Sequence, residues 1–332
     1  MSGAIWQIST FAAGIGLLVG GAWFLISGGS RVAAVLRVPA VVVGLTVVAF
    51  GTSAPELFVS IVGAFKGNTG LVLGNVIGSN VVNLGLILAF AALLRPVIVE
   101  RGLSRKEVPF LLGATVLFAA LAWDGRLGHF DAGLLVVIFF AFLWWTLKNK
   151  DRGAVVTDVP AELPDVDREH RTRELTRGGG MTILGIGGLA IGGHFIVTSA
   201  LKLAVSMGVS ETLIGLTLVA VGTSLPELAT TIMAALRNED DLALGNIVGS
   251  NLFNILAVAG PVGLFWNLDA EGGQSTGILS FSSLQIQMIC MVVLTFMVFS
   301  MIILGRGKVG RKRGMVLLLT YLAIMYFWTT LN

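Results

Sequence analysis

Two glutamates, Glu56 and Glu227, lie in the middle of long apolar stretches, and each ends a near-identical segment. The first segment is Gly44-Leu-Thr-Val-Val-Ala-Phe-Gly-Thr-Ser-Ala-Pro-Glu56 and the second is Gly215-Leu-Thr-Leu-Val-Ala-Val-Gly-Thr-Ser-Leu-Pro-Glu227, with ten of thirteen positions the same. An ionisable side chain inside hydrocarbon is costly, so its default interpretation is functional. A purely structural buried pair is the weaker alternative, because such pairs stabilise poorly. The sequence therefore predicts one polar site, encoded twice.

A second motif repeats at the same offset of 171 residues. Leu73-Gly-Asn-Val-Ile-Gly-Ser-Asn-Val-Val-Asn83 is followed by Leu244-Gly-Asn-Ile-Val-Gly-Ser-Asn-Leu-Phe-Asn254. On a helix, residues spaced by four share one face. Each copy therefore carries a polar stripe of amide and hydroxyl side chains, namely Asn75, Ser79 and Asn83 in one and Asn246, Ser250 and Asn254 in the other.

The glutamate motifs favour a hard metal cation. Thr and Ser precede each glutamate by four and three residues, which places all three side chains on one helical face. The proline before each glutamate frees the carbonyl four residues earlier, at Gly51 and Gly222. Two carboxylates balance one divalent cation, and oxygen ligands suit Ca²⁺ better than Zn²⁺ or copper. Na⁺ also takes oxygen ligands, so the two ions would compete for one site. The glycines of these motifs are interpreted mainly as helix-packing positions.

Composition places the site in a membrane. Apolar residues make up 55% of the 332 and charged residues 12%, which indicates a polytopic membrane protein rather than a soluble enzyme. The single cysteine, Cys290, excludes an intrachain disulfide and a cysteine-built metal site. The first apolar run is interpreted as a retained helix, not a removed signal peptide. Ten runs are long enough to span: about 6–28, 38–64, 70–95, 107–124, 130–147, 179–206, 209–236, 242–266, 278–304 and 314–331.

The basic residues predict the topology. If the loops after spans 1, 3, 5, 7 and 9 face the cytoplasm, they hold 19 of the 22 Lys and Arg residues. Both termini then lie outside, and the two glutamate motifs cross the membrane in opposite directions. We therefore predict an all-α protein of ten transmembrane helices in two inverted repeats of five, a plan typical of secondary transporters. The first repeat is 1–147, a solvated cytoplasmic linker is 148–178, and the second repeat is 179–332. The net charge of +3 comes from inside-facing loops and implies no nucleic-acid partner.

The paired Gly-Thr-Ser-x-Pro-Glu and Gly-Asn-x-x-Gly-Ser-Asn-x-x-Asn motifs resemble those of the cation/calcium antiporter superfamily, specifically prokaryotic sodium/calcium exchangers. The motifs cover four helices, and the topology is similar over the whole chain. The resemblance implies a monomeric multi-pass carrier in the cell (inner) membrane, in contact with the lipid bilayer. It also implies exchange of Na⁺ for Ca²⁺ by alternating access, with no cofactor and no enzymatic activity.

The resemblance also implies ligands. Ca²⁺ would bind the Glu56 and Glu227 carboxylates and the backbone carbonyls of Thr52 and Thr223. Na⁺ would use the same glutamates, with further oxygens from Ser53, Ser224, Ser79, Ser250 and the carbonyls of Ala49 and Ala220. Asn83 and Asn254 would line the central position, and spans 1 and 6 would form a moving gate. Many relatives have aspartate where this chain has Asn254, which predicts that fewer protons compete for this site.

Other functions stay open at this stage. A Ca²⁺/H⁺ antiporter would use the same glutamates, although such relatives usually carry Gly-Asn-Ala-x-Glu near the acid. A K⁺-assisted exchanger is a weaker alternative. A cation channel with a glutamate-lined filter would differ in having uncoupled flux. A membrane enzyme lacks support, because no nucleophile with a base, nucleotide loop or metal-hydrolase pattern is present.

Overall fold

The computed structural model describes residues 2–36, 38–98, 103, 105–148, 168–206, 220–269 and 281–331. These residues are mostly helical, as the hydropathy predicted. The helices are α1 (Ser2–Leu36), α2 (Ala40–Thr52), α3 (Ala54–Phe65), α4 (Thr69–Leu94), α5 (Glu107–Leu121), α6 (His129–Lys148), α7 (Arg168–Ser206), α8 (Ala220–Thr223), α9 (Leu225–Leu236), α10 (Asp240–Trp266), α11 (Phe281–Leu304) and α12 (Arg311–Leu331). The two-residue strands in the described ranges are β1 (Val97–Ile98), β2 (Arg126–Leu127), β3 (Leu268–Asp269) and β4 (Lys308–Val309).

Six of the described helices are long and apolar enough to cross a membrane, or seven if α2 and α3 form one bent span. Large apolar side chains such as Phe58, Phe130 and Phe265 are exposed on the outside of the bundle, at 69%, 84% and 75%. Exposure of this kind suits a lipid-facing surface. The protein is therefore a multi-pass membrane protein, and the count of ten spans stays a prediction.

The glutamate segments break where the sequence places Ser-x-Pro-Glu. Ser53 lies between α2 and α3, which are bent by 45°, and has φ −84° and ψ 5°. Ser224, between α8 and α9, has nearly the same angles, φ −87° and ψ 7°. Pro55 and Pro226 occupy the first turn of the helix that follows each break, where the missing N–H costs nothing. Each break therefore ends one helix and starts another beside the glutamate.

Within the described residues, π-helical segments interrupt the long helices at Gly44–Val48, Asn83–Ile87 and Phe253–Ala259. Each widens one turn, which rotates the side chains that follow relative to those before it. Two of these segments contain the predicted central residues Asn83 and Asn254. The sequence did not predict them, because a π turn has no distinct hydrophobic period.

Helices α1 and α7 pack against each other along most of their length through glycines. A Cβ on Gly21 would lie 2.7 Å from the Leu189 backbone nitrogen, and one on Gly14 would lie 3.0 Å from the Gly192 carbonyl oxygen. Early residues of α1 meet late residues of α7, so the pair is antiparallel. The close contact explains the glycine-rich runs in these helices as packing positions.

Helix α7 begins at Arg168, earlier than the predicted span that starts near residue 179. The end of the predicted linker 148–178 therefore continues the helix, and Arg31 of α1 forms an ion pair with Glu174 there. Residues 149–167 of the linker lie outside the described part of the chain.

Strand pairing joins distant segments at two places. β1 pairs antiparallel with β4, with Val97 opposite Val309, and β2 pairs antiparallel with β3, with Leu127 opposite Leu268. β1 and β3 are separated by the same 171 residues as the two motifs. Each strand that follows a Gly-Asn-x-x-Gly-Ser-Asn helix thus pairs with a strand from the other half of the chain.

Candidate ion-binding site

Both glutamates lie in the first turn of a helix, Glu56 in α3 and Glu227 in α9. The positive end of the helix dipole favours a carboxylate at this position. Close contact between α2 and α10 brings the two halves together here: a Cβ on Gly249 would lie 2.7 Å from the Ala49 Cβ. Glu56 and Glu227 are both completely buried. The structure therefore brings the two motifs into one interior site.

Hydroxyl groups cross between the halves. The Ser53 hydroxyl donates to Glu227 Oε1 at 3.0 Å, and the Ser224 hydroxyl donates to Glu56 Oε1 at 3.3 Å. Each half therefore supplies the serine that binds the other half's glutamate. The remaining oxygen of each glutamate, Oε2, is buried without a hydrogen-bond partner among the described residues. One carboxylate oxygen from each half is thus left for another ligand.

The two threonines before the glutamates differ in their surroundings. Thr52 is completely buried, and its Oγ1 lies 3.1 Å from Asn246 Oδ1, 3.3 Å from Ser250 Oγ and 3.3 Å from the Ala49 carbonyl oxygen. Thr223 is half-buried. It interacts with the Glu56 carboxylate, as Thr52 does with the Glu227 carboxylate. The two threonines therefore differ in burial: Thr52 is enclosed against α10, whereas Thr223 is partly exposed.

Two asparagines hold the glutamate backbones. Asn75 Nδ2 donates to the Glu56 carbonyl at 3.0 Å and to Ser60 Oγ at 2.9 Å. Asn246 Nδ2 donates in the same way to the Glu227 carbonyl at 3.5 Å and to Thr231 Oγ1 at 3.0 Å. The sequence analysis placed both asparagines in polar stripes of amide and hydroxyl side chains. It did not predict that their amino groups would bind the glutamate backbone. The available signal is a hydroxyl residue four positions after each glutamate, at Ser60 and Thr231.

Four more of the predicted site residues are polar and fully buried. Ser79, Ser250, Asn83 and Asn254 are each 0% exposed. The Ser79 hydroxyl, both polar atoms of Asn83 and Asn254 Oδ1 have no hydrogen-bond partner among the described residues. The Ala49 carbonyl accepts the Ser53 N–H at 2.9 Å. Ala220 is the first residue of α8, and its side-chain surroundings are outside the description.

Gly51 and Gly222, whose carbonyls the sequence predicts to be free, contact helix α7. A Cβ on Gly51 would lie 2.6 Å from Ile186 Cδ1, and one on Gly222 would clash with Val197 Cγ2. The packing interpretation of these glycines is therefore supported by direct contact. These contacts place α7, which packs on α1, directly against both helix breaks.

The electrostatics of the site require a counter-charge. Neither glutamate has an ion pair or a basic neighbour among the described residues; the ion pairs found there are Arg31–Glu174 and Arg95–Asp240. Two buried charges of the same sign are costly unless something neutralises them. In the described ranges, no group of three or more His, Cys, Asp or Glu side chains is arranged to hold a metal ion. The available donors are carboxylate, hydroxyl and amide oxygens, which suit Na⁺ and Ca²⁺.

Comparison with known proteins agrees with this chemistry. The family model described as "Sodium/calcium exchanger protein" matches residues 6–148 and 178–330. The chain belongs to the sodium/calcium exchanger family. The exchanger is 33% identical to "Putative antiporter CaxA" of Alkalimonas amylolytica over 94% of this chain and 95% of the relative. It is 31% identical to "Sodium/calcium exchanger MaX1" of Methanosarcina acetivorans, over 94% of this chain and 95% of the relative.

The fold matches a solved structure of the same family. The sodium-calcium exchanger NCX_Mj, soaked with 10 mM Na⁺ and zero Ca²⁺, superposes with a TM-score of 0.82 at 30% identity. The superposition covers 97% of this chain and 99% of that chain. The exchanger is therefore a cation/Ca²⁺ antiporter, and the relatives are transporters rather than enzymes.

Proposed function

We propose that this exchanger couples Na⁺ entry to Ca²⁺ extrusion by alternating access at the Glu56–Glu227 site. The observation that carries the proposal is the reciprocal pair of hydrogen bonds, Ser53 to Glu227 and Ser224 to Glu56. These bonds fix each buried carboxylate to the opposite half, and neither carboxylate has a basic partner among the described residues, so a cation is the natural counter-charge. One divalent ion balances both carboxylates, whereas monovalent ions need additional neutral oxygens.

The proposed ligands are oxygens of the two repeated motifs. Of these, Oε2 of both glutamates, Ser79 Oγ, Asn83 Oδ1 and Asn254 Oδ1 have no hydrogen-bond partner among the described residues. Ca²⁺ would bind Oε2 of both glutamates together with the carbonyls of Thr52 and Thr223. Na⁺ would bind the same carboxylates with hydroxyl, amide and carbonyl oxygens from Ser53, Ser224, Ser79, Ser250, Asn83, Asn254, Ala49 and Ala220. Because both ions need the same carboxylates, their binding would be mutually exclusive. Competition of this kind is what an exchanger requires.

The architecture proposed for this activity is ten spans in two inverted repeats, with α2–α3 and α8–α9 each forming one broken span. Three observations support it. The motifs and strands β1 and β3 recur at one offset, α1 and α7 are antiparallel, and the turns after α3 and α9 share a left-handed residue. That residue is Gly67 at φ 67° in one turn and Asn238 at φ 62° in the other, residue types that adopt this conformation readily. The repeats are 1–147 and 179–332, joined by the 148–178 linker, with both termini outside.

Alternating access is supported by unequal hydrogen bonding of the two halves. Thr52 Oγ1 is bonded to Asn246 and Ser250 of the other half. The corresponding acceptors at offset 171 are Asn75 Oδ1 and Ser79 Oγ, and both lack a partner among the described residues. We expect Thr223 to take up these acceptors in the opposite state, when Thr52 releases its own. In the proposed topology Thr52 lies on the cytoplasmic side of Glu56, so the present conformation is closed toward the cytoplasm.

Charge neutralisation couples the two fluxes. An empty site would carry two bare carboxylates through an occluded state of low dielectric, which is unfavourable. A bound ion removes that cost, so the switch between states occurs with cargo. Uncoupled leak is therefore slow, in contrast to a channel.

The proposal is tested with the purified full chain in proteoliposomes. Calcium uptake is measured into vesicles loaded with Na⁺, and compared with vesicles loaded with K⁺ or carrying an outward proton gradient. Uptake driven by internal Na⁺ alone supports the proposal. Uptake driven equally well by protons without Na⁺ would assign a Ca²⁺/H⁺ antiporter, a requirement for K⁺ would assign a K⁺-assisted exchanger, and flux independent of any counter-ion would indicate a channel.

A further inference from the structure

Asn80 links the ion-site asparagine Asn254 to helix α11. Asn80 in α4 is 1% exposed, and both Asn254 and Met291 are 0% exposed. Asn254 Nδ2 donates to Asn80 Oδ1 at 3.3 Å, and Asn80 Nδ2 lies 3.7 Å from Met291 Sδ. The three side chains form a buried relay from α11 to the ion site. Neither Asn80 nor Met291 is among the proposed ligands.

The relay has a fixed direction. A thioether sulfur carries no hydrogen, so Met291 only accepts a hydrogen bond. Asn80 therefore turns its amino group to Met291 and its oxygen to Asn254. The Asn254 amide must then donate with Nδ2, which leaves its Oδ1 free of hydrogen bonds to the described residues. A carboxamide serves a hard cation only through its oxygen.

We propose that Asn80 is a positioning residue, oriented by Met291, that makes Asn254 present its oxygen rather than its amino group to the transported cation. This inference rests on the proposed function, because it assumes that Asn254 lines the cation position. This orientation is needed because position 254 is an asparagine. A carboxylate there would present an oxygen in either orientation, whereas an amide presents an oxygen in only one.

The second copy of the motif provides an internal control. Asn251 is the counterpart of Asn80 at offset 171 and is equally buried, at 0% exposed. Its Nδ2 donates to the Ile247 carbonyl of its own helix at 2.7 Å. Asn83, the counterpart of Asn254, has no hydrogen bond to any described residue. Asn251 therefore orients no ion-site amide, although it occupies the matching position.

The test measures Ca²⁺ uptake by the full chain in Na⁺-loaded proteoliposomes, with KM and kcat determined separately. Asn80→Leu removes the acceptor and is expected to raise the KM for Ca²⁺ roughly tenfold, with kcat changed less than about twofold. Asn251→Leu is expected to change KM by less than about threefold. Met291→Leu, which preserves size but removes the acceptor, is expected to raise KM by about threefold.

The decisive comparison is made in the Asn254→Asp background. There Asn80→Leu is expected to change KM by less than about twofold, because a carboxylate needs no orienting partner. A misfolded variant would not recover in this way. The inference would be overturned if Asn80→Leu and Asn251→Leu raised KM equally. It would also be overturned if Asn80→Leu still raised KM tenfold in the Asn254→Asp background. Neither result would contradict Na⁺/Ca²⁺ exchange itself. Absence of Na⁺-driven Ca²⁺ uptake in the wild type would overturn the proposed function and this inference with it.

Discussion

Replacing Thr52 with valine removes one hydroxyl and keeps the volume of the side chain. The backbone carbonyl of residue 52, proposed as a Ca²⁺ ligand, is retained. The hydroxyl that is lost connects α2 to α10 through Asn246 and Ser250, at 3.1 and 3.3 Å. We expect Thr52→Val to destabilise the conformation that is closed on this side of the site.

The magnitude follows from the two hydrogen bonds between the halves. Each is worth about 1 kcal/mol net, so their loss shifts the equilibrium between the two states by about 2 kcal/mol. That corresponds to about thirtyfold, since each 1.4 kcal/mol is a factor of ten. Thr223→Val should act in the opposite direction, because we assign the Thr223 hydroxyl to the matching contacts with Asn75 and Ser79 in the other state.

Hydrogen exchange of the full chain in nanodiscs measures this shift. Amides in residues 49–57, where the Ser53 N–H bonds to the Ala49 carbonyl at 2.9 Å, should exchange about thirtyfold faster in Thr52→Val. Thr223→Val is the matched control and should leave exchange in this segment unchanged or slower. An increase below about threefold in Thr52→Val, or an equal increase in both variants, would refute the reasoning.

Three further predictions concern the serines, the glycine contact and the central asparagine. Ser53→Ala and Ser224→Ala should each raise the Na⁺ concentration for half-maximal exchange by about tenfold, because each removes a hydroxyl oxygen proposed to bind Na⁺. An effect of only one substitution would contradict equivalent roles for the two serines. Gly21→Ala should lower the melting temperature by about 2–6 °C through overpacking against α7. The control Gly20→Ala, with nothing within 4 Å of the added Cβ, should leave it unchanged. Equal melting temperatures for the two variants would contradict the packing account. Asn254→Asp should make Ca²⁺ transport fall more steeply as pH drops, because a third carboxylate takes up competing protons; an unchanged pH profile would count against this.

Much of the site was predictable because its polar residues belong to short motifs that occur twice in the sequence. Apolar composition indicated a membrane protein, and buried carboxylates in such a setting indicated a cation site. The proline before each glutamate predicted a disturbed helical turn near Gly51 and Gly222, and the structure breaks the helix two residues later, at Ser53 and Ser224. Family membership is confirmed by the comparisons, whereas the ligand assignment and the topology stay predictions.

The contacts between the halves were not predictable from one sequence. Residue spacing places Ser53 on the same helical face as Glu56, but its hydroxyl donates to Glu227 of the other half. This contact depends on how the two halves pack, which residue spacing within one helix does not determine. The support of the glutamate carbonyls by Asn75 and Asn246 has the same origin. Helix α7 also extends to Arg168 beyond its apolar region, since contact with α1 stabilises residues that hydropathy assigns to a polar linker.

The most direct test of the account replaces each glutamate in turn with glutamine and measures Ca²⁺ uptake into Na⁺-loaded proteoliposomes. Glutamine keeps the shape of the side chain but removes its charge, so the site can no longer balance a divalent ion. We predict that Glu56→Gln and Glu227→Gln each reduce uptake at least about a hundredfold, as expected when one charge of a buried set is removed. Sodium-driven uptake within about threefold of wild type in either variant would contradict a site built on both carboxylates.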